Sequence, residues 1–377
     1  MKQRTICVVN GKRGGFNALL PTMKSIAQDP KLKLQVVLTD MHLSRMFGRT
    51  LDYAKKWIKI NATVDMAQIG ATPKERTEAL GRGLTGFAQT FSKLKPDIVL
   101  LLGDRSETLT AAFAALQLRI PVAHIQGGEI SGNIDGIQRH AITKLSHIHF
   151  TETKKAKEVV EKLGEENSRV HFVGAPYIDF IAKKLYTPER EVRKKFGLGA
   201  REPFLLVLQH PVTTEPEESY NQMKKTLRAV KNTGLRAIVA YPCSDQGYQG
   251  VIDAIKEWGG GFKNIPAEDF IGLEACASAL VGNSSAGIYE APYVFCPAVN
   301  IGRRQEGRER ENNIIDVPHN VLAIEKAIKK ASNADFKKCI QPRGIYGDGK
   351  AHERIVKALK TFPLRDELFN KKLIWGH

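Results

Sequence analysis

The sequence predicts an α/β protein made of two Rossmann-like, doubly wound parallel-sheet domains that face a cleft. Three observations predict it. Short apolar runs alternate with longer amphipathic segments, the pattern of parallel βαβ units. The alternation occurs twice, on either side of a charged segment bounded by Gly and Pro, GAPYIDFIAKKLYTPEREVRKKFGLGAREP (174–203). A length of 377 residues exceeds one ordinary core and suits two.

In the first half the strands are expected at TICVVNG, LQVVLTD, PDIVLLLGD, RIPVAHIQ, HIHFTET and VHFVG. Helical patterns such as GGFNALLPTMKSIAQ and SETLTAAFAALQL lie between most of them. In the second half PFLLVLQHP, LRAIVAYP, SALVGNSS and CPAVNIG are the strands, with helices such as SYNQMKKTLRAVKNTG and FIGLEACA between them. The expected divisions are an N-terminal domain over 1–180 and a C-terminal domain over 181–360. A helix or tail over 361–377 is expected to pack back on the first domain.

Composition sets limits on function. The chain is 42% hydrophobic and 26% charged, as in soluble globular proteins. It shows no apolar run of the roughly 18–20 residues that a membrane span needs and no signal-peptide pattern. A cytoplasmic location is therefore expected, with no membrane partner. The five cysteines are scattered, which suggests neither a zinc site nor a disulfide framework. The net charge of +17 is read as lysine-rich solvated helix faces or as steering of a multiply anionic small substrate. No motif with interleaved aromatics supports a nucleic-acid partner.

The polar residues gather where the strands end. In an open parallel sheet, ligands bind outside the carboxyl ends of the strands. Here those ends read NGKRGG, GDRSE, HIQGGE, QHPVTTE, GNSSAG and NIGRRQ. GKRGG opens a helix, so its amides and Arg13 can meet an anion, although it is neither the dinucleotide fingerprint nor a P-loop. In GNSSAGIYEA, Ser284 and Ser285 are either plain caps or a cradle for phosphate oxygens, and Glu290 is placed to reach a sugar hydroxyl. RRQEGRERENN, with four arginines, is either a solvated charge run or a phosphate clamp. Asp104, Glu129 and Asp135 end strands or their loops in one half, and His210 ends a strand in the other. Neighbouring carboxylates push each other's pKa values apart, so one site can supply an acid and a base.

Taken together, GDRSE, HIQGGEISGNID, IQRHAITKLSH, LQHPVTTE, GNSSAGIYEAP and NIGRRQEGRERENNII resemble the UDP-N-acetylglucosamine 2-epimerases. The similarity is strongest to the hydrolysing branch that feeds sialic-acid and other nonulosonate synthesis, and it covers most of the chain. The resemblance implies the GT-B arrangement and UDP contacts from Arg13, His210, Phe270, Ser284, Ser285, Glu290 and Arg308. It further implies elimination of UDP to a glycal and then addition of water. Asp104 and Asp135 carry over as catalytic carboxylates; the residues themselves suggest His210, from the other half, to complete the catalytic set. No cofactor and no metal are implied, and a homodimer or homotetramer is.

The chain departs from the family pattern at three places. Gly14 and Gly15 follow Arg13 where an acidic residue is common, and Gly136 follows Asp135 where a second carboxylate is usual. Gln126 stands where some relatives have an acid, which makes Glu129 the nearest candidate for that role. These departures keep an altered sugar or nucleotide open, for instance a diacetamido-trideoxy hexose. A non-hydrolysing 2-epimerase, a GT-B glycosyltransferase and a weakened nucleotide-sugar binder are the alternatives.

Overall fold

The run IVLLL at Ile98–Leu102 is buried at every position, as a strand covered on both faces by helices must be. It forms the centre of the first sheet in the structure, a computed structural model. The described residues are 3–67, 72–131, 134–364, 366–372 and 374, without the side chains of Arg13, Asp366 and Glu367. They divide into two compact units. The first holds the chain up to Ile130, Ile134–Phe180 and the segment from Tyr346 onward, and the second holds Ile181–Ile345.

The first unit has a seven-stranded sheet. In chain order the strands are β1 (Arg4–Asn10), β2 (Leu32–Thr39), β3 (Ala62–Val64), β4 (Ile98–Leu102), β5 (Val122–Ile125), β6 (Ile148–Thr151) and β7 (Val170–Phe172). Their spatial order is β3-β2-β1-β4-β5-β6-β7, and every pairing is parallel. The order reverses between β1 and β4, so the loops after these two strands diverge and leave a crevice. Helix Pro73–Leu94 begins with a capping box between Thr72 and Glu75 and buries Phe87 and Phe91 against the sheet. Each buried phenylalanine contributes on the order of 1.5–3 kcal/mol.

The second unit has five parallel strands: β8 (Phe204–Leu208), β9 (Arg236–Val239), β10 (Ala279–Gly282), β11 (Ala298–Ile301) and β12 (Ile314–Val317). They lie in the order β12-β11-β10-β8-β9. The expected class, two parallel α/β sheets with helices interleaved, is the one observed.

Two strands went unforeseen, β3 and β12. Both are edge strands, and neither is an apolar run. β3 has three residues, one of them buried, and no residue of β12 is fully buried. Without two covered faces an edge strand lacks the continuous hydrophobic signal. The charged connector at 174–203 is more structured than a linker. It contains helices Pro176–Ala182 and Glu189–Lys195, and Arg193 in the latter donates to the carbonyls of Gly199 and Glu202.

The segment after Tyr346 supports the first unit from behind. Helix Ala351–Thr361 packs on helix Arg13–Gln28, where Lys360 pairs with Asp29. Lys371 donates to the carbonyls of Lys144 and Ser146 and pairs with Glu165. These carbonyls close the C-terminal end of helix Ile134–Leu145, an end that favours a cation. The same helix carries Asp135 and Arg139. No described helix is long and apolar enough to cross a membrane, and the five cysteines are unbridged.

Candidate active site

The crevice between β1 and β4 is lined by Asn10, Gly11, Gly103, Asp104, Glu107 and Gln126, among others. Asp104 lies two residues beyond the end of β4, and its side chain is 13% exposed. It is ion-paired with Arg139, whose guanidinium is fully buried. The other arm of Arg139 donates to the Glu129 carbonyl at 2.6 Å. One side chain therefore ties the turn after β4 to the loop after β5, and both to the helix that Asp135 opens. Arginine suits this junction because its planar fork presents several donors at once.

A glycine makes the second loop possible. Gly128 has φ of +83°, and a Cβ there would lie 2.1 Å from the Ala156 carbonyl oxygen. Glu129 follows it and is 4% exposed, and Asp135 is half-buried in the first helical turn. The structure thus brings Asp104 and the Glu129 backbone together at Arg139, whose helix also carries Asp135. Nothing in the sequence IQRH shows what lies across from Arg139, so this junction is visible only in the folded chain.

His124 has no acid–base role here. It is completely buried on β5, and burial pushes its pKa down to about 3, leaving the ring neutral. Its Nε2 donates to the Gly103 carbonyl at 2.7 Å, and its Nδ1 meets the Thr143 hydroxyl at 3.3 Å. The ring therefore fixes the residue before Asp104. One consequence concerns pH. Below about pH 6.5 the unfolded chain binds a proton at this histidine that the folded chain refuses, so the contribution to stability falls with acid until the folded pKa is reached. Urea midpoints measured between about pH 7 and 4 are expected to drop less steeply for His124→Gln than for the unsubstituted protein.

In the second unit His210 follows β8 and is buried. Asn283 clamps its backbone by accepting from the His210 amide at 2.7 Å and donating to its carbonyl at 2.9 Å. The Cys243 amide donates to His210 Nδ1 at 3.0 Å. Nδ1 must then be the acceptor, which makes Nε2 the protonated nitrogen of the neutral ring. The fold thus presents His210 as a hydrogen-bond donor. Gly282 allows β10 to pass close to β8: its φ is +142°, and a Cβ would meet the Leu208 carbonyl oxygen at 2.0 Å.

The residues after β10 form the rest of this group. Ser284 Oγ accepts from the Ala286 amide at 3.2 Å, which is a capping contact, whereas Ser285 makes no side-chain cap. Arg308 donates to the Tyr289 hydroxyl at 2.8 Å and lies over its ring at 5.3 Å. This anchors Arg308 to the residue that precedes Glu290 in sequence. Arg304 bonds the Asn283 carbonyl and Asp245, and Gln305 bonds the same carbonyl at 2.8 Å. Phe270 is half-buried on helix Ala267–Cys276, one turn before Glu274 and on the same face. Burial, with the charge of Glu290 second, pushes the Glu274 carboxyl well above the usual carboxylate range. Arg13 begins helix Arg13–Gln28, but its side chain lies outside the described residues. Asn283 and Arg304 shape this group of residues, although nothing in GNSSAG or NIGRRQ shows which partners they meet. Among the described residues no group of three or more His, Cys, Asp or Glu is placed to hold a metal ion.

A family profile described as UDP-N-acetylglucosamine 2-epimerase matches residues 24–360. The chain is 35% identical over 374 residues to the UDP-N,N'-diacetylbacillosamine 2-epimerase (hydrolyzing) of Legionella pneumophila, covering 98% of each chain. It is 31% identical to the GDP/UDP-N,N'-diacetylbacillosamine 2-epimerase (hydrolyzing) of Campylobacter jejuni, covering 89% of this chain and 90% of that one. The crystal structure of UDP-GlcNAc 2-epimerase from Neisseria meningitidis bound to UDP-GlcNAc superposes with a TM-score of 0.79 at 18% identity, covering 94% of this chain and 99% of the other.

Proposed function

The chain belongs to the UDP-N-acetylglucosamine 2-epimerase family, and from that premise we propose that it is a hydrolysing 2-epimerase of UDP-linked 2-acetamido sugars. It takes up water and releases UDP and the free 2-epimer. The observation that carries the reading to particular residues is the linkage of Asp104, Arg139 and the Glu129 loop at the switch point of the first sheet.

The chemistry runs in two steps. A carboxylate removes the proton at C2, the C–H electron pair becomes the C1–C2 double bond, and the C1–oxygen bond breaks with its electrons leaving on UDP. Water then adds at C1 of the glycal while C2 regains a proton from the opposite face, giving the free epimer. Asp104, an anion ion-paired with Arg139 and open to the pocket, is suited to proton transfer, and in this reading Glu129 and Asp135, on the loop and helix that Arg139 joins to it, share that role. Departing diphosphate calls for donors and cations, supplied in this reading by Arg13, Arg308, Ser284, Ser285 and the Nε2–H of His210. Phe270 and Glu290 take the uracil and ribose ends. The free sugar would feed nonulosonate synthesis, and the assembly would be a homodimer or homotetramer, which sedimentation can decide.

The test is incubation with UDP-GlcNAc and with UDP-N,N'-diacetylbacillosamine in deuterated water, followed by NMR. Free UDP together with a 2-epimer carrying deuterium at C2 is expected. An epimerised UDP-sugar without free UDP would instead mark a non-hydrolysing enzyme. The relatives from Legionella and Campylobacter favour the diacetamido sugar as the better substrate.

A further inference from the structure

Gln126 has φ of +76°, in the left-handed region that a side chain with a Cβ rarely adopts. Such strain costs on the order of 1–3 kcal/mol and persists where the surroundings fix it. Two bonds fix it here. Its amide donates to the Phe150 carbonyl at 3.0 Å, and its Nε2 donates to Glu152 Oε2 at 2.9 Å. β5 and β6 pair Ile125 with Phe150, so Gln126 and Glu152 extend beyond neighbouring strand ends at the same edge of the sheet.

The two residues are not equivalent. Gln126 lines the pocket that Asp104 also lines, whereas Glu152 is fully buried behind it and is not among the lining residues. A carboxylate can only accept, so the nitrogen end of the carboxamide must face Glu152. The oxygen end is thereby turned the other way. A Cβ on Gly103, the residue before Asp104, would stand 3.2 Å from that oxygen. An acceptor at the nitrogen end also polarises the amide, which strengthens its oxygen as an acceptor.

We propose that Glu152 is a positioning residue that holds the Gln126 carboxamide oxygen as a fixed, aprotic acceptor for a hydroxyl or amide N–H of the sugar beside Asp104. This rests on the function proposed above. Gln126 then orients the sugar and moves no proton, and proton transfer is left to the carboxylates around Arg139.

The test uses the full chain. Glu152→Gln offers both a donor and an acceptor to Gln126, so the carboxamide is no longer held one way round. With unchanged thermal unfolding, kcat/KM is expected to fall about 10–100-fold, as for other small misplacements in an active site. Gln126→Leu should cause a similar fall, and the double variant no more than either alone. Gln126→Glu places two carboxylates together, so one is protonated near neutrality. Its kcat/KM profile should gain an alkaline limb that disappears in Gln126→Glu with Glu152→Gln. The Gln126 side-chain amide resonance should shift and lose protection from exchange in Glu152→Gln. Multiplying effects in the double variant, or a Glu152→Gln enzyme within about twofold of the original with that resonance unmoved, would overturn the proposal. If the original protein released no UDP from any 2-acetamido sugar nucleotide, the functional reading would fail instead, and the amide resonance would still judge the Glu152–Gln126 linkage.

Discussion

Asp104→Asn is expected to lower kcat for UDP release about 10²–10⁴-fold, the range for loss of a group that transfers a proton in the transition state. Stability should fall too, because asparagine cannot neutralise the buried guanidinium of Arg139. Asp104→Glu separates the two effects. It keeps the charge beside Arg139 but moves the carboxylate by a methylene. Its thermal unfolding should stay near that of the original protein while kcat falls nearly as far as in Asp104→Asn. Calorimetric binding of UDP should change little in either variant, since the residues proposed to hold UDP are elsewhere in the chain. A Glu variant with full kcat would remove Asp104 from the proton-transfer step.

Arg139→Leu is expected to be the most destabilising single substitution around this site. Removing one partner of a buried ion pair leaves the other charged and desolvated, at a cost of roughly 3–5 kcal/mol. Here the Glu129 carbonyl also loses its donor, so the loop after β5 loses its tie to the turn after β4. Arg139→Lys keeps the charge but cannot bond Asp104 and the Glu129 carbonyl in the same fork geometry. An intermediate urea midpoint and a clear loss of kcat are therefore expected for it. Equal stability of Arg139→Leu and the original protein would mean that the pair does not hold the loops.

The central strands were legible because a strand covered on both faces must be apolar throughout: IVLLL in β4 and FLLVL in β8 need no partner to be recognised. The edges β3 and β12 were not, since one exposed side removes that signal. The site was legible to the same degree. The candidates Asp104, Glu129, His210 and Ser284 lie in the loops after strand ends, the edge of a parallel sheet where ligands bind, and the local sequence announces those ends.

Other parts of the site arise from contacts between distant positions. Arg139 meets Asp104 from 35 residues away, Asn283 clamps His210 from 73 away, and Glu152 holds Gln126 from 26 away. Lys371 closes the end of the Arg139 helix from farther still. His124 is a neutral strut, because complete burial disfavours its charged form.

By itself the sequence determined the α/β class, the strand ends that carry the polar loops and the family to which the chain belongs. These follow from periodicity and local motifs, which each segment carries alone. Only the tertiary structure decided which charge neutralises which, which nitrogen of His210 bears its proton, and which way the Gln126 carboxamide points. Those are properties of pairs, and a pair exists only once burial has removed the water that would otherwise satisfy each member separately.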